Sequence, residues 1–282
     1  MLIRAGYDLA FRAYAPTPMI SMLSVRPDRL ADLRTPHIID NDRGMALQDF
    51  TDAYGNICTR FTLQPGITRL SCDFMIEDSG LIDPQSPHAQ QHDVSDLPAD
   101  VLMYLSGSRY CETDILSNVA WGSFGHINSG WDRVQAIVDF VHNHLTYGYC
   151  YARNTRTAAE AYREGVGVCR DFAHLAVTLA RCMNIPARYC SGYLGDIGID
   201  PVDIPMDFHA WFEVYLGGQW HAFDARHRVP RIGRILMACG RDAADTALTT
   251  AFGPVDLVSF HVHTDEVTAA TRFREARMDI AA

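Results

Sequence analysis

The segment Glu164-Gly165-Val166-Gly167-Val168-Cys169-Arg170-Asp171-Phe172-Ala173-His174-Leu175 places a cysteine where a loop with two glycines turns into a helix. The helix continues through Ala176-Val177-Thr178-Leu179-Ala180-Arg181-Cys182-Met183, and Pro186 stops it. Asp171, His174, Thr178 and Arg181 fall on one stripe at helical spacing, while apolar residues cover the rest of the circumference. Such a helix is buried and central, so its first residue is held on a rigid element. A thiol in the first turn faces the positive end of the helix dipole and backbone N–H groups that have no intrahelical partner. That setting is expected to lower its pKa and to offer donors to an oxyanion. Most free cysteines are inert core residues, so a catalytic Cys169 needs a partner. His174 lies five residues along, more than 7 Å of rise at about 1.5 Å per residue, and reads as a satisfied core histidine. Gly165 and Gly167 lack the third glycine and preceding strand of a dinucleotide loop. They give the chain room to bring the thiol to the surface.

The partner lies downstream, in Asp207-Phe208-His209-Ala210-Trp211-Phe212-Glu213-Val214-Tyr215-Leu216-Gly217-Gly218-Gln219-Trp220-His221-Ala222-Phe223-Asp224. Two runs rich in aromatic and β-branched residues flank Gly217-Gly218, which predicts an antiparallel hairpin with a two-residue turn. Leu216 then lies opposite Gln219, and counting back puts Trp211 opposite Asp224. His209, Trp211 and Asp224 share one face, with His209 the diagonal neighbour of Asp224, about 7–8 Å away at the backbone. His221 falls opposite Val214 on the other face. A two-residue turn therefore selects His209, whereas a three-residue loop would reverse the choice. Cysteine at a helix start, histidine on one strand and aspartate on the next give a nucleophile, a base and an orienting group.

These residues resemble the transglutaminase-like superfamily, in particular a bacterial branch commonly described as cysteine-protease-like. The resemblance rests on Gly-Val-Cys-Arg-Asp-Phe-Ala-His-Leu at 167–175, Ile185-Pro186-Ala187-Arg188-Tyr189 with Ser191-Gly192-Tyr193-Leu194, Phe208-His209-Ala210-Trp211, and Trp220-His221-Ala222-Phe223-Asp224, in that order. It implies Cys169 as nucleophile, His209 as histidine and Asp224 as acid. It also implies an α+β, papain-like core, in which the helix carrying the cysteine packs on an antiparallel sheet, preceded by a small antiparallel β domain. Many relatives follow the acid with Pro-Thr, whereas this chain reads Ala225-Arg226-His227, so the rim of the cleft differs. An aromatic that assists the oxyanion is also implied, and Tyr147, Tyr149 and Tyr151 are all open to that role. The expected chemistry is thiol-dependent acyl transfer through a thioester, most simply hydrolysis of a peptide, isopeptide or glutamine amide bond. Transfer to an amine, as in a transglutaminase, is the alternative. A non-catalytic peptide-binding module on the same fold is another, although such a protein commonly loses one of the three residues and all are present here.

The chain has 282 residues, 48% of them hydrophobic, enough for a sizeable core and for two domains. Its net charge of −10, without a long basic run, argues against nucleic acid and anionic membrane as partners, while the peptide or protein substrate is what the resemblance implies. The first ten residues lack the order of a signal peptide, and nowhere do about 18 apolar residues run uninterrupted, so a cytoplasmic location is expected. The eight cysteines show neither disulfide-framework nor zinc-finger spacing. No cofactor and no metal are expected. Four loop aspartates, Asp196, Asp200, Asp203 and Asp207, do not match an EF-hand and read as a solvated rim.

Residues 1–100 are expected to form the N-terminal β domain and connector, and 101–282 the catalytic core. Strand patterns occur at Leu2–Phe11, Met19–Val25, Met45–Phe50, Ile57–Leu63 and Ile67–Ile76. A polar stretch with three prolines, Asp78 to Asp100, reads as a connector that can drape along the core. Helical patterns follow, with Thr157-Ala158-Ala159-Glu160 spaced as a capping box. Arg226, Arg228, Arg231, Arg234 and Arg241 surround a strand expected at Ile232–Met237 and are read as partners of this acidic chain's own carboxylates. Phe260-His261-Val262-His263 alternates as a last edge strand.

Overall fold

The computed structural model describes residues 1–127, 130–200 and 206–268. Strands β1 (Leu2–Ala13), β2 (Thr17–Ser21), β3 (Asp40–Asn41), β4 (Gln48–Thr51), β5 (Ile57–Leu63) and β6 (Gly66–Glu77) come first. The polar connector then runs over the surface to α1 (Thr113–Phe124) and α2 (Gly130–His144). Next are β7 (Thr146–Tyr147), α3 (Ala158–Glu164), β8 (Val166–Gly167) and α4 (Cys169–Cys182). The chain continues with β9 (Ala187–Tyr193), β10 (His209–Leu216), β11 (Gln219–Phe223), β12 (Ile235–Gly240), β13 (Thr249–Ala251) and β14 (Val255–Glu266).

The α+β expectation holds. Helix α4 packs on an antiparallel sheet of order β11-β10-β9-β12, and α1, α2 and α3 pack against α4 from other sides. Every residue of α4 from Asp171 to Cys182 is buried, as an apolar circumference requires. Leu175, Ala176 and Leu179 meet Val134 and Ile137 of α2 and Phe212, Val214 and Leu216 of β10 in one core. Most of the polar stripe is satisfied internally, the buried His174 Nδ1 being without a hydrogen-bond partner among the described residues. The buried Arg181 guanidinium donates to the carbonyls of Ala187 (2.8 Å), Ser106 (3.0 Å) and Arg241 (2.6 Å) and to Ser108 Oγ (3.2 Å). Helix α3 begins with the expected capping box: Glu160 N–H donates to Thr157 Oγ1 (3.3 Å) and Thr157 N–H to the Glu160 carboxylate (3.0 Å).

The N-terminal strands form two further sheets, β14-β1-β6-β3 and β13-β2-β5-β4. Alternate residues of β1 (Ile3, Ala5, Tyr7, Leu9, Phe11 and Ala13) point into a second core. Pairing cuts across the 1–100 and 101–282 division, because β13 and β14 come from the C-terminal segment yet lie against β2 and β1. Tyr193, Phe208, Ile235 and Met237 of the C-terminal segment also join this second core. The connector drapes as expected, with Ile82 bridging Ile232 and the Asp83 carboxylate accepting from Arg231 N–H (2.8 Å) and Arg234 Nε (2.9 Å). The strand expected at Ile232–Met237 starts three residues later, because Gly233 (φ +78) turns the chain into it.

Candidate active site

The β10–β11 hairpin has the predicted two-residue turn. Gly217 and Gly218 take φ of +58 and +87, the positive pair that a type I′ turn needs. Leu216 pairs with Gln219 and Val214 with His221. His209 and Asp224 thus meet diagonally, with His209 Nε2 2.7 Å from Asp224 Oδ2. His221 faces away, its Nε2 on the Leu216 carbonyl (3.2 Å) and its ring against Trp131.

Asp224 is fixed from four directions. Oδ2 also accepts from Arg234 Nη2 (3.3 Å), and Oδ1 accepts the backbone N–H groups of Arg226 and His227 (3.0 Å each). Burial by itself would raise its pKa, but His209 and Arg234 outweigh it and hold the carboxyl well below the usual carboxylate range. His209 is buried, and its pKa is lowered by that burial, which the Asp224 carboxylate only partly offsets. Its resting form is a neutral imidazole with Nε2 turned to Asp224, which leaves Nδ1 as the nitrogen for the cleft.

The start of α4 is anchored by Asp171. Val168 N–H donates to Asp171 Oδ2 (3.0 Å), while Asp171 N–H and Phe172 N–H turn back to the Val168 carbonyl (2.8 and 3.2 Å). The Asp171 side chain is fully buried between Arg156 Nη1 (3.0 Å) and Arg170 Nη2 (3.1 Å). Gly167 is needed for this approach, since a Cβ there would stand 2.6 Å from the Asp171 Cβ. Loop 165–167 also pairs with the tyrosine segment, with Thr146 opposite Val166 and Tyr147 opposite Gly167 in a parallel bridge. Of the three tyrosines, Tyr149 shares the cleft with Cys169, Asp207, His209 and Arg226. Tyr147 instead lies under the Arg226 guanidinium at 3.8 Å.

Cys169 keeps partial exposure, yet enclosure of its sulfur pushes the thiol up to about 11. The nearby Asp207 carboxylate acts in the same direction, while the Ala210 backbone N–H and Arg226 oppose it. The lowered pKa expected from the helix start is not what the site produces. A helix end contributes about 0.3–1 kcal/mol. Raising a thiol from 9.0 to about 11 corresponds to more than that, at about 1.4 kcal/mol per pH unit. Desolvation wins, and the resting pair is a neutral thiol beside a neutral imidazole. Asp207 is itself raised by burial, against the Phe208 N–H, Tyr149 and Arg226. Of the loop aspartates, Asp196 and Asp207 line the cleft, whereas Asp203 lies outside the described residues.

Sequence reasoning read Arg234 as a partner of the chain's own carboxylates, as it is, without identifying Asp83 and Asp224 as those partners, and gave His227 no role beyond a departure at the rim. The His227 ring lies 5.0 Å from that of His209, tilted by 58°. His209, Asp224 and His227 offer donor atoms within 4.8 Å of one another. The set is poor for a cation nonetheless. Asp224 Oδ2 is shared by His209 and Arg234, Arg231 Nη1 donates to His227 Nδ1 (3.0 Å), and Arg226 adds a further positive charge at the cleft. His174, the rival base, is a core histidine as expected, with Nε2 accepting Ala243 N–H (3.1 Å) between the rings of Tyr110 and Tyr189, but it is not fully satisfied, since its buried Nδ1 has no hydrogen-bond partner among the described residues.

Residues 123–225 match a family model described as the transglutaminase-like superfamily, and Cys169, His209 and Asp224 all fall inside the match. The whole chain is similar to a crystal structure of a candidate cysteine protease from Cytophaga hutchinsonii. The two share 29% identity with a TM-score of 0.82, covering 95% of this chain and 91% of that one. An uncharacterized protein of Mycobacterium leprae is 37% identical over 91 residues, 31% of this chain, and the match spans only 32% of that protein's length. The antiparallel sheet and the helix bearing Cys169 thus have counterparts across nearly the full length of a solved structure. The chain carries, at residues 123–225, a domain of the transglutaminase-like superfamily.

Proposed function

We propose that the protein is a thiol acyl-transfer enzyme in which Cys169, His209 and Asp224 act on an amide bond of a peptide or protein. The observation that carries this is the buried 2.7 Å contact of His209 with a four-way clamped Asp224, on the cleft that also holds Cys169. A buried carboxylate held ionised against a histidine beside a thiol orients a base; packing alone would not call for it. Because the resting pair is neutral, His209 takes the thiol proton as sulfur attacks the carbonyl carbon. The Cys169 and Arg170 N–H groups at the start of α4, which unlike those of Asp171 and Phe172 are not turned back to the Val168 carbonyl, receive the developing oxyanion. The imidazolium, stabilised by Asp224, then gives its proton to the departing amine, and a thioester to Cys169 remains. Water hydrolyses that thioester, regenerating the thiol and releasing a carboxylic acid. Hydrolysis is favoured over amine transfer because the Cytophaga protein of the same fold is named as a candidate cysteine protease.

The test is incubation with unfolded casein in the presence and absence of a fluorescent primary amine. New peptide termini identify hydrolysis, whereas covalently bound amine identifies transfer. Cys169→Ala should abolish either product while keeping the wild-type circular dichroism spectrum. Equal product from the wild type and Cys169→Ala would remove the nucleophile from the scheme.

A further inference from the structure

The Asp224-Ala225-Arg226-His227 turn carries a second imidazole into the cleft. The turn is braced from both sides. Its N–H groups bind Asp224 Oδ1, and the Arg226 carbonyl meets His142 Nδ1 of α2 at 3.0 Å. Behind His227 stands Arg231, itself buried and tied to the Gly195 carbonyl (2.8 Å) and, through its backbone N–H, to Asp83 (2.8 Å). A guanidinium can only donate. Its 3.0 Å contact with His227 Nδ1 therefore makes that nitrogen the acceptor and puts the proton on Nε2. Among the described residues Nε2 has no protein partner, and it is not sealed off. His227 lines the same cleft wall as Cys169 and His209. Burial first, then the charges of Arg231 and Arg226 and the adjacent His209, press the His227 pKa down to about 3 against the pull of Asp224, so a proton is not added at working pH.

We propose that His227 is a substrate-orienting donor of this site: Arg231 holds it in one neutral tautomer, and its Nε2–H is offered to a carbonyl oxygen of the acyl substrate bound over Cys169. The inference rests on Cys169 as nucleophile, but the tautomer does not. A neutral imidazole locked by an arginine gives a directed hydrogen bond without altering the charge of the cleft, which a protonated histidine next to His209 would do.

Two measurements test it. In protein carrying ¹⁵N-labelled histidine, the His227 nitrogens should report the Nε2–H form unchanged from about pH 5 to about pH 8. In Arg231→Met the lock should be lost and His227 should exchange between tautomers. A wild-type His227 that is protonated on Nδ1, or that titrates in this range, overturns the proposal. The second measurement compares Cys169 modification by iodoacetamide, which carries a carbonyl oxygen, with that by methyl iodide, which has no oxygen to accept a hydrogen bond. His227→Ala should slow the first by roughly threefold to tenfold, the size of one neutral hydrogen bond, and leave the second unchanged. His227→Gln, which keeps an N–H donor, should recover most of the loss. Equal slowing with both reagents, or none with either, overturns the donor role. If Cys169 proves inert to both reagents, the nucleophile assignment falls, and the histidine spectrum still decides whether the locked tautomer stands.

Discussion

At the scale of single residues, the chemistry of this cleft is set by desolvation more than by the helix dipole. Cys169 and His209 both rest neutral, so in the proposed mechanism the ion pair is made during attack. Alkylation of Cys169 should therefore climb steadily as pH rises toward about 11 and show no plateau below pH 7. A plateau there, measured by peptide mass spectrometry, would mean that an ion pair exists in the resting site. Asp224→Asn keeps the shape but removes the charge that stabilises the imidazolium. Activity, once assayed, should fall by about 10²-fold to 10⁴-fold, with thiol exposure unchanged. A loss of only a few fold would mean that the carboxylate is structural. The residue identities were legible from sequence because alternation along a hairpin is a strict geometric rule. Their protonation states were not, since the Cys169 thiol also answers to the Asp207 carboxylate and the Ala210 N–H, more than thirty residues away in the chain.

At the scale of elements, α4 is placed by its first turn. Asp171, fully buried, bridges Arg156 and Arg170 and caps Val168 N–H. Asp171→Ala leaves Arg156, whose side chain is only 5% exposed, without one of its partners in a dry setting. Breaking such a buried pair costs about 3–5 kcal/mol, to be read as a lower midpoint in guanidinium unfolding. A change below about 0.5 kcal/mol would mean that the pair is not held in solution. Gly192 is a second fixed point: a Cβ there would stand 2.0 Å from the Ile235 carbonyl oxygen. Gly192→Ala should thus separate β9 from β12 and destabilise the sheet that carries His209. The hairpin, the capping box of α3 and the helix start were all readable locally, because each depends on residues within a few positions. The Asp171–Arg156 pair was not readable, because neither residue carries a local sign that its charge will be buried.

At the scale of the molecule, five of the described histidines, His37, His174, His209, His221 and His227, have their pKa lowered in the fold, chiefly by burial. The unfolded chain binds protons at these positions from about pH 6.5 downward, while the folded chain takes them up only at lower pH. Stability that is present above that pH is therefore lost as pH falls. Asp224 acts in the same sense at lower pH, since its folded pKa lies well below 3.8. Thermal unfolding followed from about pH 7.5 to about pH 5 should show a falling midpoint, and His174→Phe should flatten the slope in part. A flat profile would contradict buried neutral histidines. The β14 strand pairs along nearly the whole of β1, so a chain ending before Val255 should expose that edge and be recovered mainly as aggregate.

Pattern along the chain was enough to determine that a cysteine begins a central helix, that a two-glycine turn sets His209 against Asp224, and that the N-terminal segment is made of strands. All of these follow from periodicities of 3.6 and 2 and from turn chemistry, which act over a few residues. Only the tertiary structure decided that β13 and β14 return to the N-terminal sheets, that Arg234 completes the clamp on Asp224, and that Arg231 turns His227 into a fixed donor. Those outcomes depend on which distant groups share a desolvated space, and desolvation is a property of the packed molecule that no short stretch of sequence contains.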